Sequence, residues 1–398
     1  MNVTPAMQQF YDLKAQYQDA ILFFRMGDFY EMFENDAVIA HKILWINLTS
    51  RNKNAENPIP LAWIPYHAKE KYLTKLIDAG YKVAIAEQVS DPTLKWIVNR
   101  EVVRVITPGT LSLEEEWYEG TGESNSICSI VSEWEKYGLS IIDVSEHTWT
   151  CSEFENIQNL CTELYKLSPK EVILEKSLMW NSELEELLSK KYALNIFYYD
   201  THIKSYDFLK KKLWLTNLQS IGIEEKYLAQ KASAYILQYL QENQKTELSF
   251  IDALTYENYS SYLELDEATI KSLDLIYNIS TSSATKGTLL WVLNHTTTPM
   301  GKRYLREQIL RPLQDEKEIK TRQKYIQTFK ENPIVLKEIR EKLKSIADID
   351  AILNRIALNR AWPRDLLLLK KSLIEIRDVT QILQKSGLKN LEKIFSQS

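Results

Sequence analysis

The spacing of apolar residues changes period several times along the first 110 positions of this 398-residue chain. Thr4-Pro5 opens a helix, an N-cap followed by proline at the first helical position, and Met7, Phe10, Tyr11, Leu13 and Tyr17 share one of its faces. The run Ile21–Phe24 predicts a strand and Gly27-Asp28 breaks it. Met32, Phe33, Ala37, Ile39 and Ala40 then predict a helix that begins at once. In this reading Asp28 is the helix N-cap, and Glu31 three positions on completes a reciprocal capping pair. Trp45–Thr49 reads as a strand and 50–60 as a polar loop bounded by Pro58 and Pro60. A helix over Ala68–Ala79 and strands over Lys82–Ala86 and Glu101–Thr107 complete an α/β unit, which Pro108-Gly109 terminates.

From about Ser124 the pattern shifts to three short consecutive strands, Ser126–Ser132, Leu139–Val144 and Trp149–Ser152. A helix over Glu153–Tyr165, a strand over Glu171–Leu174 and further helix–strand alternation predict a second α/β unit with a mixed sheet. Helical spacing over 224–244 leads into a third region. From Leu265 onward only helical periodicity remains, in segments beginning at Leu265-Asp266 and Pro299-Met300 and over Lys317–Phe329, Val335–Ser345 and Arg364–Leu383. The reading is therefore three regions, 1–115, 120–245 and 250–398.

Composition narrows the class. The chain is 44% hydrophobic and 26% charged, as in soluble globular proteins. No run approaches the roughly 18 apolar residues of a membrane span, and no signal-peptide pattern opens it, so a cytoplasmic home and no membrane partner are expected. Cys128, Cys151 and Cys161 form no C-x-x-C pair, and the five histidines form no metal-ligand spacing, so no metal site is expected. The net charge of −5 is unevenly spread: about −2 over 1–115, −12 over 116–300 and +9 over 301–398. A phosphate-cradling G-x-x-x-x-G-K-[ST] loop is absent, since Gly301-Lys302 is followed by Arg303 and position 296 is Thr.

Several segments, taken in order, resemble one family. They are Met7-Gln8-Gln9, Leu13-Lys14-Ala15, Phe24-Arg25-Met26-Gly27-Asp28-Phe29-Tyr30-Glu31, Pro58-Ile59-Pro60, Ile64-Pro65-Tyr66-His67-Ala68, and Val102-Val103-Arg104-Val105-Ile106-Thr107-Pro108-Gly109-Thr110. Tyr137-Gly138-Leu139, Asp143-Val144-Ser145, Leu265-Asp266, Thr298-Pro299-Met300-Gly301 and Pro363-Arg364-Asp365-Leu366 continue the series. Together these resemble the N-terminal part of the bacterial DNA mismatch-repair protein MutS. The resemblance implies a mixed α/β mismatch-binding domain over 1–115, a ribonuclease-H-like α/β connector over 120–245, and an all-α, partial core/lever domain over 250–398. It also implies that Phe29 wedges into DNA and stacks on a mispaired base, and that Glu31 hydrogen-bonds that base. Such a wedge exploits the low cost of unstacking a mispair. Arg25, Arg51, Lys53 and Arg104 are candidates for backbone or groove contacts, as positioning groups.

The implied partners are double-stranded DNA with mismatches or small loops, and a MutL-like protein docking on the connector. Full-length members are homodimeric ATPases using ATP and Mg²⁺. This chain, ending before the clamp and ATPase domains, is expected to be a fragment that hydrolyses nothing, holds no cofactor, and is monomeric or weakly associating. Asp143 stands where a ribonuclease-H-like nuclease would place a metal-binding carboxylate, but no convincing set of partner acids accompanies it, so a structural aspartate is expected. Two alternatives are an interaction and lever fragment that has lost mismatch recognition, and a nuclease of that fold.

The sequence departs from the family at its tryptophans. There are ten, against only ten glycines, where average usage gives glycine about 7% of positions. Trp63 lies in Ala62-Trp63-Ile64-Pro65, where the family has Ala-Gly-Val/Ile-Pro. Trp96, Trp291 and Trp362 fall in similar contexts, and Trp45 and Trp149 join them as candidates. A Gly-to-Trp exchange adds bulk and forbids easy positive φ. The expectation is that UGA codons meaning glycine are written here as Trp; the alternative is a divergent member that packs its indoles in enlarged pockets.

Overall fold

The structure, a computed structural model, describes residues 4–51, 58–89, 98–110, 126–143, 148–180, 182–192, 194–244, 248, 251–259, 262–277, 286–357 and 361–386. Lys53 and Trp96 lie outside these residues.

Helix α1 (Pro5–Gln16) precedes a hairpin of β1 (Ala20–Met26) and β2 (Phe29–Phe33). This corrects the reading of the second segment. Gly27-Asp28 is the two-residue turn of a β-hairpin, with Met26 opposite Phe29, and no helix starts there. Gly27 at φ +61 supplies the left-handed first position that such turns need. The sequence Phe-Tyr-Glu-Met-Phe has aromatic residues that favour strands, and an exposed–buried alternation over its first four positions. Helix α2 (Glu34–Leu44) begins only afterwards, with no side-chain cap at Phe33, so Asp28 and Glu31 do not cap it. Trp45 ends this helix rather than opening a strand, and β3 is Thr49–Arg51.

Strand β4 (Ile59–Pro65), helix α3 (Lys69–Asp78), β5 (Lys82–Gln88) and β6 (Arg100–Ile106) complete a six-stranded sheet of order β3-β4-β2-β1-β5-β6. One face packs Ile21, Phe23, Tyr30, Met32, Ile64, Val83 and Ile85 against Ala37, Ala40 and Leu44 of α2 and Leu73, Leu76 and Ile77 of α3. On the other face Met7 and Phe10 of α1 meet Leu22, Phe24, Phe33, Ala84 and Val105. Phe10 stands edge-on to Phe33 at 4.9 Å and to Phe24 at 5.8 Å. Asp36, 3% exposed, locks this arrangement: Lys14 Nζ lies 2.8 Å from Oδ1, and the Leu22 amide donates to Oδ2 at 2.9 Å.

The second sheet has order β11-β10-β7-β8-β9-β12. Strands β7 (Ser126–Glu133), β8 (Lys136–Asp143) and β9 (Thr148–Phe154) form an antiparallel meander. After α4 (Ile157–Leu167), β10 (Glu171–Glu175) pairs parallel to β7. After α5 (Ser182–Glu185), β11 (Asn195–Tyr199) pairs parallel to β10. Helices α6 (Ser205–Leu213) and α7 (Tyr227–Gln244) cover one face, and α4 covers the other. Gly138 is required by close approach, since a Cβ there would meet the Leu228 carbonyl oxygen of α7 at 2.3 Å. β12 (Thr255–Tyr256) and Leu248, Ile251 and Leu254 also belong to this unit, past residue 245.

The turn after β6 is fastened to the second unit. The Gly109 amide donates to Glu171 Oε2 at 3.0 Å, and the Tyr239 hydroxyl donates to Oε1 of the same wholly buried carboxylate. A Cβ at Gly109 would meet Ile127 at 2.2 Å, so only glycine fits there. Burial raises the Glu171 pKa above its ordinary value, opposed by hydrogen bonds from Thr107, Tyr239 and Gly109 and by the charge of Lys82.

The remaining elements are helical: α8 (Glu267–Ser272), α9 (Leu289–Leu293), α10 (Pro299–Leu310), α11 (Glu316–Glu331), α12 (Pro333–Leu343), α13 (Ile349–Ala357) and α14 (Pro363–Lys385). Side-chain caps from Asp266, Thr288, Thr298 and Asp315 start α8 to α11. Ile339 of α12 packs with Val379 and Leu383 of α14. Among the described residues no helix is long and apolar enough to cross a membrane.

Candidate nucleic-acid interface

Strand alternation decides what the β1–β2 hairpin presents. Tyr30 and Met32 point into the core under α2 and α3, at 2% and 0% exposure. Phe29, Glu31 and Phe33 share the opposite face. Helix α1 covers Phe33 completely, Glu31 is half-buried, and Phe29 at the hairpin end is 39% exposed. An apolar ring is thus held beyond the edge of the α1 roof, two residues from a carboxylate on the same face. Its closest ring neighbour is Trp63 of β4, edge-on at 4.8 Å and 76°. Pro65 is opposite Phe29 in the β2–β4 pairing, and Trp63 opposite Glu31.

Two arginines address Glu31. Arg51 Nη1 lies 4.0 Å from its Oε2, and the Arg51 guanidinium rests 5.7 Å from the Phe33 ring centre. Arg100 acts on Glu31 through its charge. Its Nε donates to the Arg25 carbonyl at 2.6 Å, and its guanidinium lies 4.9 Å from the Phe24 ring. Burial raises the Glu31 carboxyl above its ordinary value, partly offset by Arg51 and then Arg100. The opposite shift appears at Arg100, lowered by burial and partly restored by Glu31. A carboxyl held in this way takes up a proton more readily than an exposed one.

The other sequence candidates are spread differently. Arg25 pairs with Tyr30 in the hairpin, so its side chain leaves on the face opposite Glu31 and stacks on Tyr66 at 3.9 Å. Arg104 pairs with Ile85 on the α2–α3 side of the sheet. The structure therefore brings Phe29, Glu31 and Arg51 onto one face, sets Arg25 beside the same turn, and leaves Arg104 on the other side. Sequence reasoning passed over Arg100, and marked Trp63 only as a departure from the family, not as a neighbour of Phe29. Their nearness to Glu31 and Phe29 follows from sheet order, and no local signal carries it. Asp143 is buried at the end of β8, and among the described residues no group of three metal-ligating side chains gathers.

The three units occur in an order and with lengths that match known proteins. Models of three consecutive domains align with the chain: MutS domain I with residues 4–115, MutS domain II with 125–252 and MutS domain III with 268–396. The chain is 38% identical over 395 residues to the DNA mismatch repair protein MutS of Streptococcus uberis, covering 99% of this chain and 44% of that protein. It is 38% identical over 403 residues to the protein of the same name from Halothermothrix orenii, with 99% and 44% covered. With that of Streptococcus suis it shares 38% over 384 residues, covering 96% and 43%. The chain belongs to the MutS family of DNA mismatch-repair proteins and corresponds to its domains I to III. It spans less than half the length of the curated relatives it matches.

Proposed function

We propose that residues 1–115 recognise mismatched double-stranded DNA, with Phe29 as the wedge and Glu31 as the group that contacts the mispaired base. The observation that carries this reading is the exposure gradient along one face of β2: Phe33 sealed, Glu31 half-buried, Phe29 open. A ring in that position can leave its edge contact with Trp63 and insert between bases. Stacking on a base is worth roughly 1–3 kcal/mol, and a mispaired step is the cheapest to open. Glu31 beside DNA phosphates is pushed further toward its protonated form, in which it donates a hydrogen bond to an acceptor on the base. Arg51, Arg25 and Lys53 then serve as phosphate or groove contacts; for Arg104 that role requires DNA to reach the other side of the sheet.

The second unit is read as a ribonuclease-H-like connector, supported by its antiparallel meander followed by two strands parallel to its first. It is assigned communication between domains and docking of a MutL-like partner. The helical third region is read as part of the core and lever, coupled in the whole protein to a dimeric ATPase. The test compares binding of the full chain and its Phe29→Ala variant to matched and mismatched duplexes of one length. Loss of the mismatch preference with non-specific binding intact supports the reading, and an unchanged preference refutes it.

A further inference from the structure

Three tryptophans sit in backbone conformations that tryptophan does not favour. Trp45 ends α2 at φ +58 and ψ +36, its amide donating to the His41 carbonyl at 3.1 Å. Trp214 ends α6 in the same way at φ +55 and ψ +36, its amide donating to the Lys210 carbonyl. Both occupy the left-handed position that closes a helix, where glycine is the usual residue because it has no Cβ to clash. Trp134 and Glu135 form the two-residue turn between β7 and β8, at φ +52 and +63. A hairpin turn with both central residues left-handed draws strongly on glycine and asparagine.

Burial does not compensate. Trp45, Trp134 and Trp214 are 88%, 90% and 94% exposed, so the indoles bury almost none of the surface that would offset the backbone cost. Tryptophan makes up ten of 398 residues but three of the eight non-glycine residues at positive φ among those described. A bulky residue in this region is an outlier that calls for a cause. Elsewhere in the fold Gly80 closes the turn after α3 at φ +85, and Gly222 ends a short 3₁₀ turn at φ +74. Trp149 is the counter-example. It lies in strand β9 at 2% exposure, and its Nε1 donates to Ser140 Oγ at 3.0 Å.

We infer that the polypeptide made by the source cell carries glycine at positions 45, 134 and 214, because its ribosomes read UGA as glycine where the sequence as written has tryptophan. Backbone conformation and exposure identify Trp134 and Trp214 here independently of any sequence motif. The same two criteria give no ground for exchanging Trp149. Packing exempts it because a glycine there would empty a filled core position.

Two measurements test this. Peptides from the natural protein, purified from its source cell and sequenced by mass spectrometry, are expected to contain glycine at all three positions; tryptophan there overturns the inference. In the recombinant chain as written, W45G, W134G and W214G are each expected to raise the melting temperature, by roughly 2–8 °C per site. W149G is expected to lower it, which shows that the gain does not come from removing any indole. No gain at 45, 134 and 214, or loss of folding there, overturns the structural argument even where the triplet is UGA.

Discussion

The molecule uses a glutamate facing an arginine in two places, to opposite ends. At the hairpin, Glu31 and Arg51 stand 4.0 Å apart with side chains 23% and 27% exposed. At the junction of the second unit with the helical region, Glu163 of α4 meets Arg311 at the end of α10, with side chains only 4% and 13% exposed. There Arg311 also stacks 4.8 Å from the Tyr259 ring and lies 3.5 Å from Glu307, while Arg306 donates to the Lys166 carbonyl at 3.1 Å. Burial works to lower the Arg311 pKa, yet Glu163 and Tyr259 hold it above its ordinary value. The junction pair has its hydrogen-bonding capacity used internally, so it fastens two units. The hairpin pair is long, partly solvated and shared with Arg100, so it is left able to exchange its partner for another molecule. The same two residue types give a joint where they are closed off, and a partly solvated, exchangeable pair where they are kept open.

The comparison breaks first at the joint. Glu163→Ala strands Arg311 in a low-dielectric contact, and removing one partner of a buried pair costs about 3–5 kcal/mol. Calorimetry and limited proteolysis are expected to show the helical region loosened from the second unit; a loss of under about 1 kcal/mol means the two pairs do not differ. Next in size is Phe29→Ala, expected to remove roughly 1–3 kcal/mol of mismatch preference, about ten- to a hundredfold. Because the ring is exposed, its melting temperature should hardly move. Trp63→Gly acts in the opposite direction. The edge-on contact that holds Phe29 is worth about 0.5–1.5 kcal/mol, and freeing the ring should strengthen mismatch binding by up to about tenfold. Weaker binding in that variant would make the indole part of the reading surface.

The smallest effect is in stability against pH. Glu31 has a folded-state pKa raised above its ordinary 4.5, so between those values the folded state holds more protons than the unfolded one. Stability from this group is complete below pH 4.5 and falls as pH rises through the raised value. Glu31→Gln is therefore expected to raise the melting temperature slightly at pH 7, with the gain vanishing near pH 4. A gain that persists at pH 4 would mean that the charge of Glu31 is not what costs stability.

Much of this was legible in the chain. Thr298-Pro299 and Asp266 announce helix starts through local capping chemistry, and the meander 126–154 announces itself through short apolar runs between turns. The hairpin was not, because Gly27-Asp28 is compatible with a helix cap and with a hairpin turn, and only pairing with β1 and β4 decides between them. That choice changed the meaning of Glu31, from a capping group spent on its own helix to a half-buried side chain on the face of Phe29, addressed by Arg51 and Arg100.

The sequence by itself determined several helix starts, the strands of the second unit's meander, the family and the identity of Phe29 and Glu31 as candidates, since these rest on local periodicity and on motifs of adjacent residues. Tertiary structure alone decided which candidates share a face. Arg51 and Arg100 reach Glu31 because β3 and β6 lie on either side of the hairpin in the sheet, and Arg104 does not because strand alternation turns it away. Tertiary structure likewise separated the tryptophans, by backbone handedness and burial, neither of which a residue's name records. Sequence specifies local conformation through short-range sterics; the candidate site is assembled by contacts between strands, and those exist only once the sheet has closed.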